Sequence, residues 1–342
     1  MKKSQQQLKH PSKKPKVLFL CKKRHDLYGI SVGLINSATF VSNVLNCHGI
    51  ESKVAIVFDG NGIDREVYHY KPTHVIIEAL WVTPDKMEVL IKRYPKLQWI
   101  VRVHSKASFI ANEGIAMSWL ADYVYKLTTK YPNIFISANN KDFNQELCEV
   151  LKTKSIYLPN IYDPKDTPCS PHKVANDVID IGCFGAIRPL KNNLEQGISA
   201  IRFGNDIGKK IRFHVNAGRL EQNGDTVLRN LRAIFKYSHH ELVEHKWLTH
   251  KDFTKLVRTM DMGMQVSLSE SFNIVAADLV MNDIPVVVSD EINWIPLPFQ
   301  ADPKDGNDIV NTLKMVYRLR KTRIHFINKL FLKWSNFWAT KA

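Results

Sequence analysis

The chain has 342 residues, 44% hydrophobic and 24% charged, a balance that fits a globular protein too long for one core and points to two domains. No apolar run approaches the roughly 18 residues that cross a bilayer, and the Lys-rich start has no apolar centre, so neither a spanning helix nor a secretory signal is expected. The net charge of +15 sits at the two ends, and five scattered cysteines without a Cys-x-x-Cys pair exclude a disulfide framework and a zinc knuckle, which suits a reducing cytoplasm.

In chain order, residues 1–16 hold six lysines and no acid and read as a disordered basic arm. Val17–Cys21 is a buried first strand, followed by a loop with Lys22, Lys23, Arg24, Gly29 and Gly33. Leu34–Cys47 has helical spacing. Strands follow at Lys53–Phe58 and His74–Glu78, a helix at Met87–Arg93, and a strand at Trp99–His104. Further strands are expected at Ile134–Ala138 and Ser155–Leu158. Strands alternating with helices predict a parallel sheet covered on both faces, over residues 17–160.

The Pro-rich interval 161–176 reads as a linker. A second α/β run covers 177–307, opening on the strand Val178–Phe184 and continuing with helix Asn193–Phe203, strand Ile211–Asn216 and helices Val227–Tyr237 and Lys251–Thr259. Strand Met262–Val266, helix Phe272–Met281 and strand Pro285–Ser289 complete it. Two such lobes imply a cleft between them. The period from Asp308 to Trp338 predicts one amphipathic helix within a basic segment, 308–342; residues 314–342 hold eight Lys or Arg and no acid. Between the basic ends, 34 basic and 33 acidic residues leave the body near neutral. The ends therefore favour a polyanion, either DNA or an anionic membrane surface.

Two segments of the second lobe carry the chemistry. In Phe184-Gly-Ala-Ile-Arg188-Pro-Leu-Lys191, Gly185 permits close backbone approach, and Arg188 and Lys191 can clamp a diphosphate. In Ser267-Leu-Ser-Glu270-Ser-Phe-Asn-Ile-Val-Ala-Ala-Asp278, two carboxylates stand eight positions apart. A helix starting near Phe272 places Glu270 at its mouth and Asp278 about two turns inside. Free N–H groups and the helix dipole there suit an anion. Together the segments fit a nucleotide-sugar. His239, His240 and His245 lack ligand-like company and are expected on the surface, and no metal site is expected.

These residues resemble the retaining GT-B glycosyltransferases of the glycogen-synthase-like group, glycosyltransferase family 4. That group shows a glycine, an Arg and a Lys after the first strand of its C-terminal lobe, then Glu-x7-Glu and a Gly-x-Pro-Val-Val strand. This chain has Gly185, Arg188, Lys191, Glu270-x7-Asp278 and Asp283-Ile-Pro285-Val-Val287. The resemblance spans residues 17–300 and includes Gly29 and Gly33, His48-Gly49, His104 and Leu158-Pro-Asn160.

The resemblance implies two facing Rossmann-like domains and an enzyme that moves a hexosyl or pentosyl group from a nucleotide-diphosphate sugar, commonly a UDP-sugar, without a further cofactor or metal. Arg188 and Lys191 would neutralise the diphosphate, Glu270 would hold sugar hydroxyls and Asp278 the ribose. Backbone groups of Phe272, Asn273 and Ile274 would meet phosphate or sugar, Gly33 and Gly185 would allow close approach, and His104 would reach the sugar from the opposite domain. Lys22, Lys23 and Arg24 would lie on the acceptor side. Three positions depart from the pattern: Asp278 replaces a glutamate, and Asn273 and Asp283 stand where glycine is usual. The acceptor stays open between a modified base of phage DNA and a lipid-linked or cell-envelope glycan. A nucleotide-sugar epimerase and an inactive binding protein share the fold.

Overall fold

The computed structural model describes residues 14–23, 32–163, 177–320, 322 and 324–340. The arm up to residue 13, Arg24, Gly29 and the linker from 164 to 176 lie outside the described residues. The N-terminal half runs β1 (Lys16–Lys22), α1 (Val32–Cys47), β2 (Glu51–Val57), α2 (Gly62–Tyr70), β3 (His74–Glu78), α3 (Pro84–Arg93), β4 (Gln98–Val103), α4 (Ala107–Ile110), α5 (Ala116–Asp122), a π-helical turn Tyr123–Thr128, β5 (Ile134–Ala138), α6 (Lys141–Val150) and β6 (Ser155–Tyr157). Its six strands are parallel in the order β2-β1-β3-β4-β5-β6. Alternate side chains of β1 enter different cores, Leu18 and Leu20 on one face and Val17, Phe19 and Cys21 on the other. A strand buried on both faces explains the unbroken apolar run.

The second half runs β7 (Val178–Ile187), α7 (Asn193–Ile207), β8 (Lys210–Leu220), α8 (Gly224–Lys236), β9 (Glu241–Glu244), α9 (His250–Val257), β10 (Met262–Gln265), α10 (Ile274–Met281), β11 (Val286–Val288), α11 (Gly306–Leu319) and α12 (Ile327–Ala339). Its five strands are parallel in the order β11-β10-β7-β8-β9. In each sheet the chain reverses its direction of winding around the first strand: β1 lies between β2 and β3, and β7 between β10 and β8. Ligands of open α/β sheets gather outside the carboxyl ends of strands at such points. Here those ends deliver Lys22 from one sheet and Arg188 from the other.

The single helix expected over 308–338 is two helices, α11 and α12, with a short 3-10 turn, Ile324–Phe326, before the second. The Thr322 hydroxyl donates to the Leu319 carbonyl at 2.7 Å and its N–H donates to the same oxygen at 3.0 Å. Arg320 also donates to the Tyr317 carbonyl. These side chains take the last-turn carbonyls and end α11. The run Arg318, Arg320, Lys321, Arg323 further sets like charges close together along any continuing helix. Among the described residues no helix is long and apolar enough to cross a membrane.

One buried charge network joins the N-terminal sheet to the chain entering the linker. Arg102 is 1% exposed and Glu78 is fully buried. Arg102 donates to Glu78 at 3.1 Å, to the Leu158 and Pro159 carbonyls at 3.0 and 2.7 Å, and to Asn160 Oδ1 at 2.8 Å. Burial pushes the Glu78 carboxyl up, but Arg102 and His104 outweigh it and hold the group below its ordinary value. Its contribution to stability is therefore present above the ordinary glutamate range and is lost as pH falls through the lowered value. Arg102→Met should cost about 3–5 kcal/mol, because it strands a buried carboxylate. The urea unfolding midpoint checks this, and a loss below about 1 kcal/mol contradicts it.

Candidate active site

Between the carboxyl ends of the two sheets lies a cleft of about 280 Å³. A second chamber of about 290 Å³ opens from it against the N-terminal sheet. His104, Arg188, Arg219, Glu221, Glu270 and Ser271 line both chambers and so mark their junction.

The C-terminal wall carries three cations, each held against a carboxylate. Lys191 pairs with Glu270, both 8% exposed. Arg188, at the end of β7, donates to Glu221 Oε2 at 2.8 Å and lies 4.9 Å from the Phe109 ring of the opposite domain. Arg219, at the end of β8, donates to Glu221 Oε1 at 2.9 and 2.5 Å and stacks 4.9 Å from the Trp247 ring. Burial pushes Glu221 up, yet Arg219 and Arg188 more than offset it and keep the carboxyl below its usual range. Among the described residues the buried Nε of Arg188 has no partner. A donor without an acceptor in a charged cleft is costly unless a ligand supplies one.

The backbone of the 267–283 segment explains two of the three departures. Asn273 has φ +62° and Asp283 φ +60°, the left-handed region that glycine fills freely and Asn and Asp tolerate best among the rest. Asn273 adds what glycine cannot: its Oδ1 accepts the Ala276 N–H at 2.9 Å and its Nδ2 donates to Gln265 at 2.9 Å. It is the N-cap of α10, which starts at Ile274 rather than near Phe272. Asp278 therefore lies just over one turn inside, not two. With Ala276 capped, the Ile274 and Val275 N–H groups are the donors of the first turn that meet no acceptor among the described residues, and both residues line the cleft. Gly185 has φ +109°, and a Cβ there would sit 3.7 Å from Lys191 Cε.

Asp278 and Glu270 each keep one oxygen in hand among the described residues. Asp278 Oδ1 accepts from the Tyr162 hydroxyl at 2.5 Å and from His250 Nε2 at 2.7 Å, while among the described residues no donor reaches Oδ2. The bond to Asp278 pulls the His250 pKa up against burial. Burial first, then Asp278, pushes the Tyr162 hydroxyl well above its usual value, so it remains a donor. Glu270 likewise uses Oε1 for Lys191, and among the described residues no donor reaches Oε2.

On the N-terminal wall, burial pushes the His104 pKa down despite its Glu78 partner, so the ring is neutral. Its Nε2 donates to Glu78, and Nδ1 accepts from Asn139 Nδ2 at 3.3 Å. Asn139 also donates to Ser271 across the cleft at 3.3 Å. Lys106 reaches Glu291 at 3.0 Å, and that carboxylate accepts the Glu270 N–H at 3.0 Å. Gly33 lies in the first turn of α1 and lines the cleft, and among the described residues no heavy atom stands within 4 Å of where a Cβ would be. Lys22 lines the second chamber, whereas Lys23 turns aside to the Phe58 ring at 4.6 Å.

The structure thus brings Gly33, His104, Gly185, Arg188, Lys191, Glu270, Phe272, Asn273, Ile274 and Asp278 to one cleft. Sequence reasoning missed Arg219, Glu221, Trp247, Asn139, Tyr162 and His250. Position after β8, beside the winding reversal, was the one signal available for Arg219 and Glu221. The histidines expected on the surface divide. His240 is 5% exposed and its Nδ1 accepts the Ile211 N–H at 3.0 Å, a structural role at the sheet edge. His245 bonds His214 at 2.9 Å. Among the described residues no group of three His, Cys, Asp or Glu side chains is placed to hold a metal ion.

The chain is similar in structure to a glycosyltransferase from Rickettsia africae, at 13% identity over 96% of this chain and 98% of that one, with a TM-score of 0.64. It is similar to Anabaena HepE, crystallised with UDP and glucose, at 12% identity over 96% and 95%, TM-score 0.62. It is also similar to a trehalose-6-phosphate synthase studied for glycosyl transfer with retention, at 13% identity over 95% and 97%, TM-score 0.64. No protein-family model matches the sequence, and comparison with curated proteins finds no match. The fold is GT-B: two Rossmann-like α/β domains facing one cleft.

Two substitutions test the anion site by calorimetry with UDP. Arg219→Ala removes a charge-assisted donor and should weaken binding roughly 10- to 100-fold. Glu221→Gln frees both arginines of a competing anion and should tighten binding about three- to tenfold. Unchanged affinity in both places the diphosphate elsewhere.

Proposed function

We propose that this protein is a retaining glycosyltransferase that takes its sugar from a nucleoside diphosphate sugar, UDP-linked by preference, and passes it to a hydroxyl of an acceptor. The observation that carries the reading is the cluster of Arg188 and Lys191 just after β7 with Arg219 at the end of β8, which lines one cleft together with Ile274 and Val275 of the first turn of α10. That arrangement suits a diphosphate, and the UDP bound to the neighbouring HepE fold supports the nucleotide.

In this reading the free oxygen of Asp278 holds the ribose and that of Glu270 holds sugar hydroxyls. His104 borders the sugar from the opposite wall. The acceptor occupies the second chamber with Lys22 near its mouth. The acceptor oxygen bonds the anomeric carbon from the face that the diphosphate leaves. The anomeric C–O bond breaks, its electron pair goes to the diphosphate, and the acceptor's proton passes to a leaving-group oxygen. Arg188, Arg219 and Lys191 stabilise that growing charge, so positioning and electrostatics supply the rate without a metal.

The basic ends make a modified base of phage DNA the first acceptor reading. A lipid-linked or cell-envelope glycan is the second, favoured by the exposed aromatic side chains of α12. In either case the protein works in the cytoplasm, at a membrane face in the second.

Turnover is read by mass spectrometry of released nucleoside diphosphate and added sugar, over a panel of donors with DNA or lipid extract as acceptor. Arg188→Ala should lower it roughly 100- to 1,000-fold through lost transition-state charge stabilisation, and Glu270→Ala at least about 100-fold through lost positioning of the sugar. The unfolding midpoint of Arg188→Ala should stay near that of the parent chain, because Arg219 still pairs with Glu221, whereas Glu270→Ala leaves the buried Lys191 unpaired and should lower it, so turnover is compared where both variants are folded. Full activity in both variants overturns the site, and an isomerised donor formed without acceptor identifies an epimerase.

A further inference from the structure

We propose that Tyr162 and His250 are positioning residues for the nucleotide: acting through Asp278, they hold one carboxylate oxygen toward the ribose and make the ribose hydroxyls a point of selection. This role rests on the transferase reading, which places a nucleoside diphosphate in the cleft. Asp278 is 2% exposed and lines that cleft. Its Oδ1 takes two donors, the Tyr162 hydroxyl and His250 Nε2, and among the described residues no donor reaches Oδ2. A carboxylate buried for structure alone is satisfied at both oxygens, because a lone pair left without a donor in a dry site is costly. Two donors on one oxygen also fix the rotation of the carboxyl group, so the other oxygen is held in place before a ligand arrives.

Both donors are themselves held. Tyr162 is buried, and Asn336 of α12 clasps its backbone, donating to the Tyr162 carbonyl at 2.7 Å and accepting the Tyr162 N–H at 3.2 Å. His250 opens α9, where Thr249 caps the helix by accepting the Asp252 N–H at 3.3 Å. The His250 carbonyl accepts the Thr254 hydroxyl at 2.9 Å. Phe40 of α1 packs near both rings, its centroid 4.9 Å from that of Tyr162 and 6.4 Å from that of His250. Three separate stretches of chain, α1, the segment after β6 and the start of α9, thus converge on one carboxylate of α10.

The neighbours select what Oδ2 meets. An ionised carboxylate accepts hydrogen bonds, donates none and repels phosphate. Arg188, Lys191 and Arg219 line the same cleft and suit the diphosphate, while Trp247, Leu248 and Phe253 line it with apolar surface suited to a base. Asp278 joins these regions: it lies one turn along α10 from Ile274, and its partner His250 follows Trp247 and Leu248 in the chain. In a nucleoside diphosphate the ribose is bonded to both diphosphate and base, so its hydroxyls are the donors that reach an acid set there.

The test is calorimetry of the full chain with UDP, 2′-deoxy-UDP and 3′-deoxy-UDP. The parent should bind UDP at least about tenfold tighter than one or both deoxy analogues, as expected for a hydrogen bond to a charged group. Tyr162→Phe and His250→Leu should each weaken UDP binding about tenfold and leave that analogue nearly unchanged, so that the ratio falls below about threefold. His250→Gln keeps an N–H near the place of Nε2 and should retain the parent's ratio to within about twofold. Loss of a merely structural contact would weaken all three nucleotides alike. A ratio unchanged in both Tyr162→Phe and His250→Leu overturns the proposal, as does a parent chain that binds UDP and both analogues equally; either outcome leaves the transferase reading standing. A parent chain that binds no UDP overturns that reading and this role with it.

Discussion

The constraint on which this molecule depends is the neutralisation of cations in a partly dry cleft by carboxylates of its own. Lys191 rests on Glu270, and Arg188 and Arg219 share Glu221. Unpaired cations at this burial would be expensive, and paired ones are organised before any ligand arrives. In the proposed reading, a diphosphate entering the site would exchange one set of anions for another, and the strength of Glu221's hold would tune both capture of donor and release of product.

The fold supplies this competition with its geometry. Two parallel sheets each reverse their winding at their first strand, so that the carboxyl ends of β1 and β7 look into the same space. The N-terminal wall is made rigid by the buried Glu78–Arg102 pair, which also grips the Leu158-Pro159-Asn160 segment. The C-terminal wall is made rigid by Asn273, whose side chain caps α10 and braces Gln265 while its backbone holds a left-handed conformation. Contacts from Asn139 to Ser271 and from Lys106 to Glu291 then draw the walls together.

The sheets were legible because parallel strands buried on both faces read as unbroken apolar runs; β3 and β5 begin and end where their residues predict. The helix α2 was not, since only Ile63 and Val67 of its nine residues are buried and its start overlaps a Gly-Asn-Gly turn signal. The strand β9 is four residues at a sheet edge, too short for a period. In the site, Arg188, Lys191, Glu270 and Asp278 could be read because they fall in two short segments with a recognisable order. Tyr162 and His250 could not, because their partner Asp278 lies tens of residues away, and Glu221 could not because its link to Arg188, 33 residues back, is long-range even though Arg219 is near. The replacements of glycine by Asn273 and Asp283 look like damage in the sequence. In the structure they are the two residue types that best accept the required backbone.

The most direct test of the central claim is a crystal structure of the chain grown with UDP. The account predicts the diphosphate oxygens within hydrogen-bond distance of Arg188, Arg219 and the Ile274 and Val275 N–H groups, with Glu221 drawn away from at least one arginine. A diphosphate bound outside the cleft, with both arginines still on Glu221, would contradict it.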